Sequence, residues 1–140
     1  MTRVDFYVFE SGNEDSFSRF ICRLTEKAWR KGNRIFMHCP NQQVASRFDD
    51  LLWTFRDTSF LPHAVVPCEG DVPVSIGTSD APPPGYDLLI NLTESVPEFF
   101  SRFERVVETT GVSDTQRQQA RDRYRFYQQR GYALETHKIT

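Results

Sequence analysis

Short apolar runs alternate with segments of helical periodicity in the first half of this chain, and this alternation constrains the fold more than any other feature. Residues 3–9, RVDFYVF, form the first run, and residues 34–39, RIFMHC, form the second. Between them, apolar side chains recur every three or four residues, as in an amphipathic helix. A strand, a helix and a second strand in this order predict parallel strands with helices packed on the sheet.

The same alternation continues along the chain, although the middle is less regular. Asn41 is placed to cap a second helix, which would bury Val44, Phe48, Leu51 and Leu52. Further strands are predicted within residues 63–68, 72–77, 86–92 and 103–109, with a proline-rich loop at 78–87 and a short helix at 96–103. No repeat or long linker divides the chain. We therefore expect a single α/β domain over residues 1–140 with a mostly parallel sheet.

The last predicted helix has clear start and stop signals. Ser113 and Gln116 have the spacing of a capping box, in which each side chain bonds the backbone of the other residue. The helix is expected to end near Arg130, with Gly131 at its C-terminal cap.

A row of cations follows from the spacing within this helix. Arg117, Arg121 and Arg125 are four residues apart and so form a stripe, with Tyr124 on the same surface. Residues 113–140 carry six basic and three acidic side chains, a net charge of +3, which leaves −5 for the remainder of a chain with a total of −2. The stripe is either a solvated face or a site for a small anionic partner, and the acidic body disfavours a long polyanion such as DNA.

Motifs for nucleotide, metal or nucleophilic chemistry do not stand out. The segment after the first strand, ESGNEDS, has one glycine and three acids, and the chain has no GxGxxG or Walker A sequence. His38 and Cys39 are adjacent in a predicted strand, so they point to opposite faces and cannot hold one ion. No GxSxG sequence is present. We therefore predict no cofactor, no metal and no enzymatic activity.

The cysteine count and the apolar segments indicate the cellular compartment of this protein. Cys22, Cys39 and Cys68 are odd in number and widely spaced, which argues against a disulfide framework and for reducing surroundings. No run of eighteen apolar residues is present, and the first ten residues carry charges that a signal peptide would lack. We expect a cytoplasmic protein without a membrane segment.

Residues 51–66, LLWTFRDTSFLPHAVV, are unusually apolar for a segment that follows a helix. Such a segment either enters the core or presents a patch to a partner. From the residues alone both alternatives stay open.

Five segments, in this order and spacing, resemble the chi subunit family of bacterial DNA polymerase III. They are FYVF, LTEKAWRKGNRI, FDDLLW, SFLPH and ARDRYRFYQQRGYAL, and they cover nearly the whole chain. The resemblance implies a non-catalytic clamp-loader accessory subunit with a Rossmann-like three-layer fold, helices on both faces of the sheet and no nucleotide site.

The resemblance also implies two protein-binding sites. In the family the basic C-terminal helix binds the acidic tail of single-stranded DNA-binding protein, which ends in aspartates, proline and phenylalanine. By this resemblance Arg117, Arg121 and Arg125 meet the acids, Tyr124 walls the phenylalanine pocket, and its rim is assigned to Thr110, Gly131 and Tyr132. A hydrophobic surface for the psi subunit, or for an accessory helicase that competes with it, is assigned to Trp53, Phe60, Leu61, Pro62 and His63.

Two departures and two alternatives accompany this interpretation. Arginine replaces the lysine familiar at positions 117 and 125, and residues 136–140 and the proline-rich loop match the family poorly.

A small α/β enzyme would need a cleft with convergent acid and base groups. A direct single-stranded DNA-binding module would need a long basic groove with stacking aromatics. In the chi interpretation, DNA is contacted only indirectly.

Overall fold

The computed structural model describes residues 2–10, 12–55, 61–66, 71–78 and 80–139. The elements are β1 (Arg3–Phe9), α1 (Glu14–Arg30), β2 (Ile35–His38), α2 (Gln42–Thr54), β3 (His63–Val65), β4 (Val74–Gly77), β5 (Leu88–Asn91), a 3-10 turn (Phe100–Arg102), β6 (Arg105–Thr109), α3 (Asp114–Gln129) and β7 (Ala133–Ile139). The elements confirm the predicted alternation of strands and helices. Within these ranges no helix is both long and apolar enough to span a lipid bilayer.

The strands form a seven-stranded sheet in the order β3-β4-β2-β5-β6-β1-β7. Each strand pairing among the described residues is parallel, which confirms the prediction of a mostly parallel sheet. β1 and β2 follow each other along the chain but are not neighbours, because β5 and β6 lie between them. The order of the strands in the sheet therefore differs from their order along the chain.

Helices cover both faces of the sheet, as expected. One apolar core packs α1 and α2 on the first face and includes Ile21, Phe48 and Met37. The other packs α3 and the 3-10 turn on the second face and includes Phe36 and Tyr127. Phe36 and Met37 are consecutive in β2, so their side chains alternate between the two faces.

Local capping signals fix the helix ends. The Asn41 side chain accepts a hydrogen bond from the backbone N–H of Val44 at 2.9 Å. Ser113 and Gln116 form the predicted capping box of α3. Gly131 follows this helix with a φ of 78°, a left-handed conformation that glycine adopts without a steric penalty.

The C-terminal strand β7 lies at one edge of the sheet. β7 pairs with β1 along its full length, from Arg3 opposite Ala133 to Phe9 opposite Ile139. Residues 136–139, within the segment that matched the family poorly, thus belong to an edge strand of the sheet. α3 connects β6 to β7 and packs against β7.

His38 and Cys39 lie on opposite faces, as predicted. Cys39 belongs to the core under α1 and α2, whereas the His38 ring packs against Phe36 and Phe99 on the other side. Cys22 and Cys39 are free and buried, and burial raises the pKa of each thiol to about 12. Cys68 lies outside the described residues.

Candidate functional site

The three arginines predicted to form a stripe lie along one side of α3. Arg121 and Arg125 are exposed, and the Arg117 side chain is 36% exposed. Their exposed local partners are a carboxylate of Asp114 at 3.8 Å for Arg117 and one of Asp122 at 3.9 Å for Arg125. Exposed ion pairs of this kind contribute about 0–1 kcal/mol, so a ligand carboxylate can replace them at little cost.

Arg117 also connects α3 to the end of β1. Its Nη2 donates to the carbonyl oxygens of Phe9 and Glu10, at 3.4 Å each. A guanidinium can make these contacts and keep other N–H groups for a ligand, because its donors are fixed in a fork. Arginine at this position therefore has a geometric role that a lysine would fill less well.

Tyr124 is half-buried next to this row. Its ring packs edge-on against Phe6 of β1, with a centroid separation of 5.3 Å and an interplanar angle of 70°. The contact fixes the ring while part of its surface stays accessible. An aromatic ligand side chain could pack against this exposed part.

The edge strand β7 brings two further residues to the same place. Thr136 is aligned with Phe6, and Lys138 is aligned with Val8, in the parallel pairing of β1 and β7. Leu134 packs in the core under α3, so Thr136 and Lys138, two and four residues later, point to that same side. We call the set Arg117, Arg121, Tyr124, Arg125, Thr136 and Lys138 the α3–β7 surface.

Sequence reasoning missed Thr136 and Lys138 because their position depends on a pairing between the two ends of the chain. Lys138 adds a cation to the row, and its ammonium lies 3.8 Å from a carboxylate oxygen of Glu10. The alternation of side chains along β7 predicts that Thr136 and Lys138 lie on one face of the strand. Which residues they meet there depends on the strand that pairs with β7, and the sequence does not give that partner.

A buried ion pair holds α3 on the sheet. Arg123 Nε donates to Glu108 Oε1 at 2.9 Å, and the Tyr127 hydroxyl donates to Glu108 Oε2 at 2.7 Å. The other Arg123 nitrogens donate to the carbonyl oxygens of Glu94 at 3.0 Å and Thr109 at 2.8 Å. Burial raises the pKa of Glu108, and the Arg123 guanidinium opposes that rise.

This pair corrects the charge estimate for the C-terminal segment. Arg123 is one of the six basic residues counted in this segment, but it is buried and its charge is matched by Glu108. The cationic row is thus made by Arg117, Arg121 and Arg125 on the outer side of α3. The pair also fixes the rotation of α3 about its axis, which decides that the row and Tyr124 face outward beside β7.

The three residues assigned to the rim of the phenylalanine pocket do not come together. Thr110 precedes α3, whereas Gly131 and Tyr132 follow it, and a helix of 16 residues is about 24 Å long. The Thr110 hydroxyl accepts a hydrogen bond from the backbone N–H of Phe9 at 2.9 Å. The Tyr132 ring packs on Phe100 at 5.1 Å. The structure thus places Thr110 at one end of α3 and the pair Gly131 and Tyr132 at the other, and their assignment to the pocket rim stays a prediction.

The hydrophobic surface predicted for the psi subunit, Trp53 and residues 60–63, is partly exposed and partly buried among its described residues. Trp53, at the end of α2, is 47% exposed, and its ring centroid lies 4.3 Å from that of His63. His63 and Leu61 are buried, and the His63 ring nitrogens lie 2.7 Å from the carbonyl oxygen of Leu61 and 2.9 Å from that of Asp49.

Burial decides which of these residues can meet a partner. Leu61 and His63 are buried, so Trp53 and Pro62 are the described residues of this set with exposed surface, and the assignment of the set to a partner surface stays a prediction. Pro62 is partly exposed, and Phe60 lies outside the described residues.

One group of potential metal ligands occurs among the described residues. Asp5, Glu135 and His137 have ligand atoms within 4.8 Å of one another. However, Arg105 Nε donates to the Asp5 carboxylate, and His137 Nε2 lies 3.2 Å from its other oxygen. A guanidinium so close repels a cation, and we assign this group to the packing of β1 against β7.

Comparison with known proteins agrees with this architecture. The family model described as "DNA polymerase III chi subunit, HolC" matches residues 1–135. The chain is 42% identical over 139 residues to DNA polymerase III subunit chi of Pseudomonas aeruginosa, covering 99% of this chain and 98% of that protein. It is 29% identical over 143 residues to the protein of the same name from Escherichia coli K12, with 97% of each chain covered.

A solved structure shares the fold at low sequence identity. The crystal structure of T4 UvsW matches 99% of this chain with a TM-score of 0.70 and 8% identity, and this chain spans 41% of that protein's length. This likeness concerns the fold alone. The match of the family model to nearly the whole length, together with the identity to the Pseudomonas protein, shows that this chain belongs to the DNA polymerase III chi subunit family.

Proposed function

We propose that this chain is a non-catalytic, cytoplasmic subunit of DNA polymerase III that binds the acidic C-terminal tail of single-stranded DNA-binding protein. The α3–β7 surface is the binding site in this proposal. The observation that carries it is the placement of Tyr124, whose ring is held against Phe6 with Arg117 and Arg121 on the same side of the helix.

The chemistry of the tail matches this surface in two ways. The aspartates and the terminal carboxylate pair with the guanidinium row, and the phenylalanine ring packs on the exposed part of Tyr124. Burying one aromatic ring contributes about 1.5–3 kcal/mol. With several charge-assisted hydrogen bonds added, the total can reach about −8 kcal/mol, which corresponds to micromolar affinity.

Charge distribution favours a short acidic peptide over DNA. Residues 1–112 carry a net charge of −5, so a long polyanion that left the α3–β7 surface would meet repulsion. Binding of single-stranded oligonucleotides in the absence of the tail protein is therefore expected to be negligible. Tight oligonucleotide binding would favour a direct DNA-binding module instead.

Calorimetry with a synthetic tail peptide and its C-terminally amidated form tests the proposal. We expect the free-acid peptide to bind and the amidated peptide to bind about tenfold or more weakly, because the terminal carboxylate loses its charge. Raising the salt concentration should weaken both, since exposed charges are screened. A scrambled peptide of the same composition is the control. Equal affinities for the two forms would argue against this site.

For the second interface, we infer that Trp53 and Pro62 form part of a surface for the psi subunit or a competing accessory helicase. The support is the exposure of Trp53, whose ring packs on the buried His63 ring. Phe60 remains assigned to this surface by the family resemblance alone.

Trp53→Ala is expected to reduce capture of a purified psi subunit by about tenfold or more, because a large aromatic side chain is the kind of residue that dominates interface energies. Pull-down and calorimetry measure the loss. Trp53→Phe is the matched control, since it retains a ring over His63. Tail-peptide binding should be unchanged in both variants. Loss of tail binding together with psi binding would show that Trp53 is needed for folding rather than for an interface.

A further inference from the structure

The outer edge of β7 is open along the length of the strand. β7 is the last strand in the sheet order, so no strand within the described ranges pairs with its far side. Its register with β1 continues without a bulge from Ala133 to Ile139, and these seven residues include no proline. The opposite edge is formed by β3, which has three residues. A long and regular edge of this kind is a template for a further extended chain.

The pairing with β1 shows which backbone groups face this edge. The Ile139 carbonyl oxygen accepts a hydrogen bond from the backbone N–H of Glu10 at 3.3 Å, so the backbone of Ile139 faces β1. Backbone groups point to alternate sides along a strand, and every second residue of β7 therefore faces the open edge. These residues are Leu134, Thr136 and Lys138. Their N–H and C=O groups are the donors and acceptors that an additional strand would use.

This edge lies next to the cationic row of α3. The helix packs against β7, and Leu134 belongs to the core on the α3 side of the sheet. Thr136 is aligned with Phe6, on which the Tyr124 ring packs. A chain added to β7 would therefore lie beside Tyr124 and the three arginines.

The spacing of the arginines matches that of an extended peptide. Arg117, Arg121 and Arg125 are separated by four residues each, which is about 6 Å along a helix. Side chains on one face of a strand recur every two residues, at about 6.7 Å. Carboxylates at alternate positions of an extended chain would thus meet successive guanidiniums of the row.

Charge favours an acidic peptide over a second copy of this chain at the edge. Two copies paired antiparallel through β7 would form one continuous sheet with both α3 helices on the same side, which brings the two cationic rows together. Acidic groups near the edge do not offset this repulsion. Glu10 is paired with Lys138 at 3.8 Å, and Glu135 lies with Asp5 and His137 on the other face of the sheet.

We propose that the acidic tail of single-stranded DNA-binding protein binds to the edge of β7 as an additional β-strand. The outward backbone groups of Leu134, Thr136 and Lys138 form main-chain hydrogen bonds with the tail, and alternate aspartates pair with the arginine row. In this mode of recognition the main chain supplies affinity and the alternate side chains supply specificity. The inference rests on the proposed tail binding, to which it adds the conformation of the peptide and a contact made by the backbone alone.

Amide hydrogen exchange of the ¹⁵N-labelled protein, followed by NMR, tests the proposal. In the free protein the outward amides of Leu134, Thr136 and Lys138 should exchange rapidly, and a saturating amount of the tail peptide should slow them by about tenfold or more. The amides of Glu135 and His137 face β1 and are the internal control, so their exchange should change little. Peptide binding that leaves the three outward amides unprotected overturns this inference and leaves the tail site intact. Absence of peptide binding overturns both.

Two N-methylated tail peptides test the same backbone contact from the side of the ligand. Each carries one methyl group, on the amide nitrogen of one of two consecutive aspartates. Because alternate residues of an added strand direct their N–H groups to β7, we expect one peptide to bind about tenfold more weakly than the other in calorimetry. Equal affinities of the two peptides contradict strand addition.

Thr136→Pro removes an outward donor from β7 itself. Proline is tolerated in an edge strand where its nitrogen faces solvent, so the variant is expected to fold and to bind the tail peptide about tenfold more weakly. Thr136→Val is the matched comparison, since it keeps the N–H and removes the hydroxyl, and it should lose less affinity. Equal losses would assign the contact to the side chain and overturn the proposal. If Thr136→Pro does not fold, amide exchange and the methylated peptides decide the result.

Discussion

Arg121→Ala is expected to weaken binding of the single-stranded DNA-binding protein tail peptide by about tenfold or more, while the melting temperature stays unchanged. Arg121 lies in the middle of the cationic row and is exposed, and its guanidinium donates to the Gln118 side chain at 3.2 Å. Its loss removes charge-assisted hydrogen bonds to the peptide but no core contact. Calorimetry measures the affinity, and a thermal melt measures the stability.

Arg19→Ala is the matched control for this experiment. Arg19 is an exposed arginine on α1, which packs on the opposite face of the sheet from α3. The two variants have the same change in net charge. If Arg121→Ala binds the peptide as well as the parent, α3 is not the site. If Arg19→Ala weakens binding equally, the effect is one of net charge rather than of position.

Arg123→Met is expected to lower the free energy of unfolding by about 3–5 kcal/mol, because it leaves the buried Glu108 carboxylate without its ion-pair partner. A loss of this size lowers the melting temperature by about 10 °C or more in a domain of this length. Chemical denaturation and thermal melts measure it. The same chain offers a control in Arg125→Met, since Arg125 is 65% exposed and its loss should barely change stability.

The loss of unfolding free energy caused by Arg123→Met should depend on pH in a defined direction. Burial already raises the pKa of Glu108, and without the guanidinium it rises further. Glu108 in the folded variant then binds a proton more readily than it does in the unfolded chain. The stability of the variant therefore falls as the pH rises above the ordinary glutamate pKa of about 4.3. The deficit should therefore be largest near pH 7 and shrink towards pH 5. A deficit that does not vary over this range would show that lost packing, rather than the unpaired charge, causes it.

These two variants separate the two roles of neighbouring arginines in one helix. Arg121 is expected to act on the ligand and not on the fold, whereas Arg123 is expected to act on the fold. If Arg123→Met remains folded at low temperature, any loss of peptide binding would come from rotation or fraying of α3. From the sequence, the two positions differ only by the face of the helix on which they lie.

The elements and the caps of this domain could be predicted from the sequence because they depend on local interactions. Ser113 and Gln116 satisfy the first backbone donors of α3, and this pattern lies within four residues. The four-residue spacing of the arginine row is likewise a local property of a helix. The same is true of the opposite directions of His38 and Cys39, which follow from the alternation of a strand.

Only the tertiary structure decided which local elements became neighbours. β7 pairs with β1 across more than a hundred residues of sequence, and this pairing aligns Thr136 with Phe6, on which Tyr124 packs, and Lys138 with Val8. Tertiary packing likewise buries Arg123 against Glu108, brings the His63 ring against Trp53, and sets His38 beside Asn91. The sequence by itself determined the helices, the strands and the cationic row, because backbone capping and side-chain periodicity act over a few residues. The strand order decided which charges are buried and which surfaces lie next to each other. A parallel sheet joins segments that are far apart in the sequence, and no local pattern encodes the contacts between them.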